Sequence, residues 1–180
     1  SEVGLRGRHN HLNALAALAL GDAAGLPLSA MLNALRNFRG LAHRCQWVAK
    51  IQGVDWVNDS KGTNVGALLA SLDGLPGPIV LLAGGQAKGG DFTPVGSVLK
   101  RKGRLALLFG ADAAYIESAI HGHVPVKQVA DLQEAVNEAA LAAQPGDTVL
   151  LSPGCASLDM FRDYRDRGDQ FAAAVLELAA

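Results

Sequence analysis

The chain has 180 residues, 49% of them hydrophobic, and a formal net charge of -1. That is enough apolar material for one good core, whereas near-neutral, scattered charge and 5% aromatic content argue against a nucleic-acid or membrane-surface role. Cys45 and Cys155 have no partner spacing, no apolar run reaches spanning length and the opening residues lack signal-peptide character, so a cytoplasmic monomer with free thiols is expected.

The opening runs almost at once into an Ala-rich stretch, residues 13–24, that reads as a helix stopped by Gly25. After Pro27, Ser29 is placed to cap a second helix through residue 35. A lone helical pair is poor material for a core, so this region is expected to be the tail of a domain whose body lies upstream. Residues 46–51 and 54–58 flank Gln52-Gly53 and read as a β-hairpin. A helix is expected over 64–72, with Thr63 or Asn64 near its start. Residues 79–83 form a continuous apolar run, the pattern of a buried parallel strand. Helices follow over 92–99 and 111–120, strands over 105–109 and 124–129, with Pro125 marking the last as an edge. Asp131 and Glu134 form a capping box for a helix through 143. A strand over 148–151 precedes helix filling most of 157–179. This order predicts an α/β fold, a mostly parallel Rossmann-like sheet with helices on both faces. Such sheets bind ligands beyond the carboxyl ends of their strands.

Polar loops fall at those ends. Asp59, Lys61 and Thr63 suit either a nucleotide or acid contact or a capped turn. The glycine-rich stretch 84–91 with Lys88 inside resembles an anion cradle or a surface loop, and its spacing fails the P-loop pattern. Arg44, beside His43, offers a fork for phosphate or for a linker ion pair. His9, Asn10, His11 and Asn13 cluster at a helix start without zinc-type spacing; Asn contacts to a nucleobase and a cap by Asn10 are both open. Backbone N–H groups around 152–157 and the Ser157 hydroxyl can hold a carboxylate or cap a helix. Cys155 has no base nearby in sequence, so a thiol nucleophile is not expected.

Five stretches in order resemble one family, the ATP-dependent Mur ligases that add amino acids to peptidoglycan precursors: 7–17 with Asn10 and Asn13, 38–44 with Arg44, 58–64, 150–161 and 167–171. The last three look most like the branch that adds D-glutamate. The resemblance implies that residues 1–42 are the helical end of a central ATP-binding domain and 43–180 a C-terminal amino-acid-binding domain. It implies Asn10 and Asn13 near the adenine and phosphate side of ATP, Arg44 at the phosphates, Asp59 at the ribose and Lys61 near the reacting groups. Lys61 and Arg44 would stabilise developing charge. Thr63, Lys88, Ser157, Leu158 and Tyr164 would form the D-glutamate pocket, with Lys88 and Ser157 addressing carboxylates. The implied reaction joins D-glutamate to UDP-N-acetylmuramoyl-L-alanine through an acyl phosphate. The P-loop, the ligands of Mg2+, a modified lysine and a UDP-binding domain would precede residue 1, so this stretch alone would not turn over. Alternatives are a nucleotide- or amino-acid-binding module derived from such a ligase, or a related ligase of the folylpolyglutamate type with another substrate. The sequence departs from the family at Gly62 and Gly154, where Ala is frequent, and at Tyr164, where Phe is frequent.

Overall fold

The computed structural model describes residues 8–38 and 40–178; the expected opening over 1–7 and the junction residue Arg39 lie outside them. Helix α1 (Arg8–Ala23) starts five residues earlier than the Ala-rich pattern alone marks. Gly25, at φ +76°, closes it: its N–H reaches Asp22 O at 2.9 Å and that of Leu26 reaches Gly21 O at 2.9 Å. Helix α2 (Leu28–Asn37) is not capped by Ser29. Pro27 takes the cap position instead, its φ of -61° already suited to helix entry. No residue of α2 is buried, and Leu12, Leu15 and Leu20 of α1 are exposed, so this pair contributes nothing to a core of its own.

Strands β1 (Gln46–Ile51) and β2 (Val54–Asn58) form the expected hairpin. Gln52 and Gly53 both have positive φ, +49° and +83°, the geometry of a type I′ turn that matches strand twist. Helix α3 (Val65–Gly74) is capped by Asn64, whose side chain accepts from Ala67 N at 2.9 Å. Then come β3 (Ile79–Gly84), α4 (Thr93–Lys102), β4 (Gly103–Phe109), α5 (Ala113–Ile120), β5 (Val126–Gln128), α6 (Leu132–Ala142), β6 (Thr148–Leu151) and α7 (Tyr164–Glu177). The capping box forms: Asp131 accepts from Glu134 N at 2.8 Å, and Glu134 reaches back to Ala130 N at 2.6 Å. The last expected helix starts late. Residues 157–163 are a loop, and Asp163, not Ser157, caps α7 by accepting from Arg165 N and Asp166 N. Both donors reach the same carboxylate oxygen, Asp163 Oδ1, at 2.7 and 2.9 Å.

The sheet order is β1-β2-β6-β3-β4-β5, with β1 antiparallel to β2 and the other pairs parallel. Strand β5 is an edge, as Pro125 requires. Strand β3 is buried on both faces, and its side chains alternate between two cores. Ile79, Leu81 and Ala83 pack with Leu68, Leu72, Leu99 and Ile116 of α3, α4 and α5. Val80 and Leu82 pack with Val136, Ala139, Phe171 and Val175 of α6 and α7. The chain runs outward from β3 to β5 and then returns to insert β6 between β3 and β2. The reversal leaves a crevice at the carboxyl ends of β3 and β6, where such sheets take ligands.

Candidate functional site

Three loops leave the carboxyl ends of β2, β6 and β3, and backbone hydrogen bonds tie them together. Gly154 N donates to Gly62 O at 2.8 Å. Gln86 and Ala156 exchange N–H···O bonds of 2.9 and 3.0 Å. The approach demands glycine: a Cβ on Gly84 would lie 1.8 Å from Phe109 O and one on Gly85 2.2 Å from Ala156 O. Lys88 and Ser157 thereby stand on adjoining loops across the β3–β6 crevice.

Beside these loops, α1, α2 and α3 enclose a cleft of about 430 Å3. Asn10, Asn13, Arg44, Asp59 and Lys61 line it together, so five residues from three distant stretches meet. Its walls are small and apolar, among them Ala14, Ala17, Ala67, Ala70, Phe38 and Leu41. Apolar walls beside two amides, a carboxylate and two cations suit a base carrying a polyanion. Asn10 sits inside α1, which rules out its reading as a helix cap.

Asp59 is 6% exposed and its carboxylate is heavily used within the fold. It accepts from Ser71 Oγ at 2.6 Å, Ser152 Oγ at 2.8 Å and Cys45 N at 3.2 Å. These bonds anchor the β2 loop to α3 and to the β6 loop. Burial, then the neighbouring Asp59 charge, pushes the Cys45 thiol up to about 12; burial alone leads at Cys155, also to about 12. Both thiols are free and stay protonated at neutral pH.

Lys61 extends over the Tyr164 ring, its Nζ 4.4 Å from the centroid. Its N–H donates to His43 O at 3.0 Å. His43 itself turns inward, 8% exposed, where Asn58 Nδ2 approaches its Nδ1 at 3.3 Å and Tyr164 meets it edge-on at 6.1 Å. With Nδ1 accepting, Nε2 carries the proton and faces Asp169 at 3.6 Å. Arg44, the next residue, is exposed toward the cleft. Thr63 and Tyr164 stand outside the cleft lining, and Leu158 is 63% exposed.

Sequence reasoning gave no role to Arg167, which is fully buried. Its Nε donates to Ser60 Oγ at 3.0 Å, its Nη2 to Ser60 O at 2.9 Å, and Nη1 and Nη2 each to Cys155 O at 3.3 Å. Ser60 Oγ in turn donates to Tyr164 O at 2.7 Å. One guanidinium fork thus holds the β2 loop, the β6 loop and the start of α7 in register. Burial pulls it down to about 10, still charged at pH 7. The available signal was its place in the 167–171 stretch, on the face of α7 that also buries Gly168, Phe171, Ala174 and Val175.

Among the described residues, no group of three or more His, Cys, Asp or Glu side chains is placed to hold a metal ion. No helix of the described residues is long and apolar enough to cross a membrane.

Residues 43–155 match the family model described as Mur ligase, glutamate ligase domain. The UDP-N-acetylmuramoylalanine–D-glutamate ligase of Pseudomonas fluorescens strain Pf-5 is 55% identical over 99% of this chain, and that of Pseudomonas aeruginosa 56% over 99%. The chain spans 41% of the length of each. Among solved structures, the UDP-N-acetylmuramate-alanine ligase of Thermotoga maritima aligns over 97% of this chain and 39% of its own, with TM-score 0.70 and 18% identity. The bifunctional folylpolyglutamate synthase/dihydrofolate synthase of Yersinia pestis aligns over 91% and 38%, with TM-score 0.61 and 19% identity; both likenesses concern the fold. With a family model spanning well over half its residues, this chain belongs to the Mur ligase family.

Proposed function

We propose that this chain is the C-terminal part of an ATP-dependent ligase that joins D-glutamate to UDP-N-acetylmuramoyl-L-alanine. Residues 1–42 are the end of its ATP-binding domain and 43–180 the domain that binds the amino acid. The observation that carries the reading is the meeting of Asn10, Asn13, Arg44, Asp59 and Lys61 around one cleft that opens beside the β3–β6 crevice. The D-glutamate ligases at 55 and 56% identity supply the substrate.

ATP lies in the cleft, with its base between the apolar walls near Asn10 and Asn13 and its ribose toward Asp59. Asp59 is already bonded by Ser71, Ser152 and Cys45, so any ribose contact uses a remaining lone pair of a rigidly held carboxylate. Arg44 and Lys61 face the phosphates. The carboxylate of UDP-N-acetylmuramoyl-L-alanine attacks the γ-phosphorus, ADP leaves and an acyl phosphate forms. The D-glutamate amine then attacks the acyl carbon, and phosphate departs with the bond electrons. Charge builds on transferring oxygens in both steps, and the cations of Lys61 and Arg44 stabilise it. Lys88 and Ser157 hold the carboxylates of D-glutamate, with Thr63, Leu158 and Tyr164 as the remaining pocket residues.

The test uses a chain of the relatives' full length that contains these residues. Phosphate release from ATP should require both UDP-N-acetylmuramoyl-L-alanine and D-glutamate. Release that proceeds equally with another amino acid, or with a folate in place of the nucleotide substrate, would overturn the reading.

A further inference from the structure

Lys88 stands in a loop of unusual backbone geometry. Gly84, Gly85 and Gly89 have φ of +137°, +119° and +74°, and Lys88 itself +51°. A lysine in the left-handed region is strained and persists where the surroundings hold it. Its ammonium makes no ion pair or side-chain hydrogen bond among the described residues, so nothing beyond the backbone aims it.

The first turn of α5 holds both sides of that backbone. Asp112 occupies the N-cap position of α5 yet makes no side-chain cap bond to its own helix. Its Oδ2 accepts instead from Ala87 N at 2.7 Å, immediately before Lys88. Tyr115 Oη donates to Gly90 O at 3.0 Å, two residues after Lys88, and its ring stands edge-on to the buried Phe92 at 6.3 Å. Asp112 N also donates to Gly85 O at 3.0 Å. A carboxylate that forgoes its own helix to bind a neighbouring loop gives up cap stabilisation for the position of that loop.

We propose that Asp112 and Tyr115 are positioning residues that set the direction of Lys88 and thereby the affinity for the incoming amino acid's carboxylate. This rests on the reading of Lys88 as a carboxylate-binding residue. Neither side chain touches substrate. With Ala87 N and Gly90 O fixed, the Cα–Cβ vector of Lys88 is fixed, and only its four side-chain torsions remain to be ordered on binding. Released, the loop would relax out of the left-handed conformation and the ammonium would spend less of its time over the β3–β6 crevice.

The test compares Asp112→Ala, Asp112→Asn, Tyr115→Phe and Lys88→Met in the full-length ligase, reading KM for D-glutamate and for ATP together with kcat. Asp112→Ala should raise KM for D-glutamate by about tenfold, the factor that corresponds to about 1.4 kcal/mol, and leave KM for ATP unchanged. Asp112→Asn keeps a carbonyl acceptor for Ala87 N and should restore most of that affinity. Tyr115→Phe removes one hydroxyl, keeps the ring on Phe92, and should raise the same KM by about threefold, as expected for one hydrogen bond. It keeps the test usable if the alanine variant fails to fold. If Lys88→Met raises KM for D-glutamate while Asp112→Ala and Tyr115→Phe leave it alone, the positioning role is overturned and Lys88 keeps its part. If Lys88→Met changes nothing, the reading of Lys88 falls and the inference with it. Equal rises in both KM values would mark a general distortion and also overturn it.

Discussion

The two ends of the sheet treat charge in opposite ways. At the amino end, acid and base neutralise each other: Arg104 forks onto Asp147, which is 2% exposed and also accepts from Gln144 N. Lys102 donates to Leu72 O and Leu75 O, closing the end of α3. At the carboxyl end, the acids of the strand loops and of the α5 start are bound by neutral donors. Asp59 takes two hydroxyls and a backbone N–H, Asp112 takes Ala87 N, and Asp159 takes Ala111 N at 2.8 Å. Lys61, Lys88 and Arg44 are left without a carboxylate partner among the described residues. An end whose acids are spent on hydrogen bonds and whose cations are not is an anion collector, although the chain as a whole is nearly neutral. Net charge carries no trace of it.

The sharpest break in that contrast is Lys61→Met. It removes a cation from the carboxyl end that no fold interaction beyond Tyr164 uses. Phosphate release by the full-length ligase should fall by about 100- to 1000-fold in kcat/KM, the loss typical of one charge-stabilising group. The unfolding midpoint should stay where it was. A large loss of stability with it would mean that Lys61 belongs to the scaffold instead.

Arg167→Met should do both. It leaves Ser60 O and Cys155 O buried without their donor, a loss of about 2–3 kcal/mol in urea unfolding. It also frees the two loops that carry Lys61 and Ser157, so KM for D-glutamate should rise. Arg167→Lys keeps the charge but not the fork, and should recover only part of either. Unchanged stability in the Met variant would show that the guanidinium's desolvation cost cancels its bonds.

Asp147→Asn breaks the amino end alone. The partly exposed Arg104 guanidinium loses its charged partner and the buried position 147 keeps only an amide, so the midpoint should fall by about 5 °C in a thermal scan. Both KM values of the full-length ligase should hold, because no loop of the site touches this pair. A shift in KM for D-glutamate would show that the two ends are coupled through the sheet.

The sequence reveals the contrast only in part. Apolar runs, Gln52-Gly53, Pro125 and the Asp131–Glu134 pair mark the strands, the hairpin, the edge and a cap correctly because each acts through its own neighbours. Lys61 and Lys88 are visible for the same reason: both follow strands in glycine-bearing loops. The carriers of position are not visible. Arg167 reaches residues more than one hundred positions away, and Ser71, Ser152 and Asp112 bond to atoms brought near by the strand order alone. Ser157 reads as a helix cap because a serine before an apolar stretch has that local meaning, whereas α7 begins only at Tyr164 and Asp163 caps it. The partners of Asp59 differ in kind again, since its Oδ2 is shared by Ser71 of α3 and Ser152 of the β6 loop.

The smallest expected effect lies at the start of α7, which delivers Tyr164 and Arg167 to the carboxyl end. There the backbone N–H of Arg162, then the Gln170 amide, then the Arg162 side chain hold the Asp166 carboxyl down at about 2, against an ordinary 3.8. Asp163 is lowered as well, first by the Asp166 N–H. A depressed folded pKa stabilises the native state above the ordinary value, and that stabilisation is lost as pH falls through 3.8 toward 2. Both acids are at the surface, so the loss is small and shrinks further in salt. Asp166→Asn removes one titrating group and keeps most of the geometry. The urea midpoint of the unsubstituted protein should therefore drop more steeply than that of the variant between pH 4 and pH 2. Above pH 5 the two curves should run parallel. Curves that stay parallel through the acid range would remove Asp166 from the forces that seat α7, leaving the Asp163 cap and the Arg167 fork to place Tyr164 beneath Lys61.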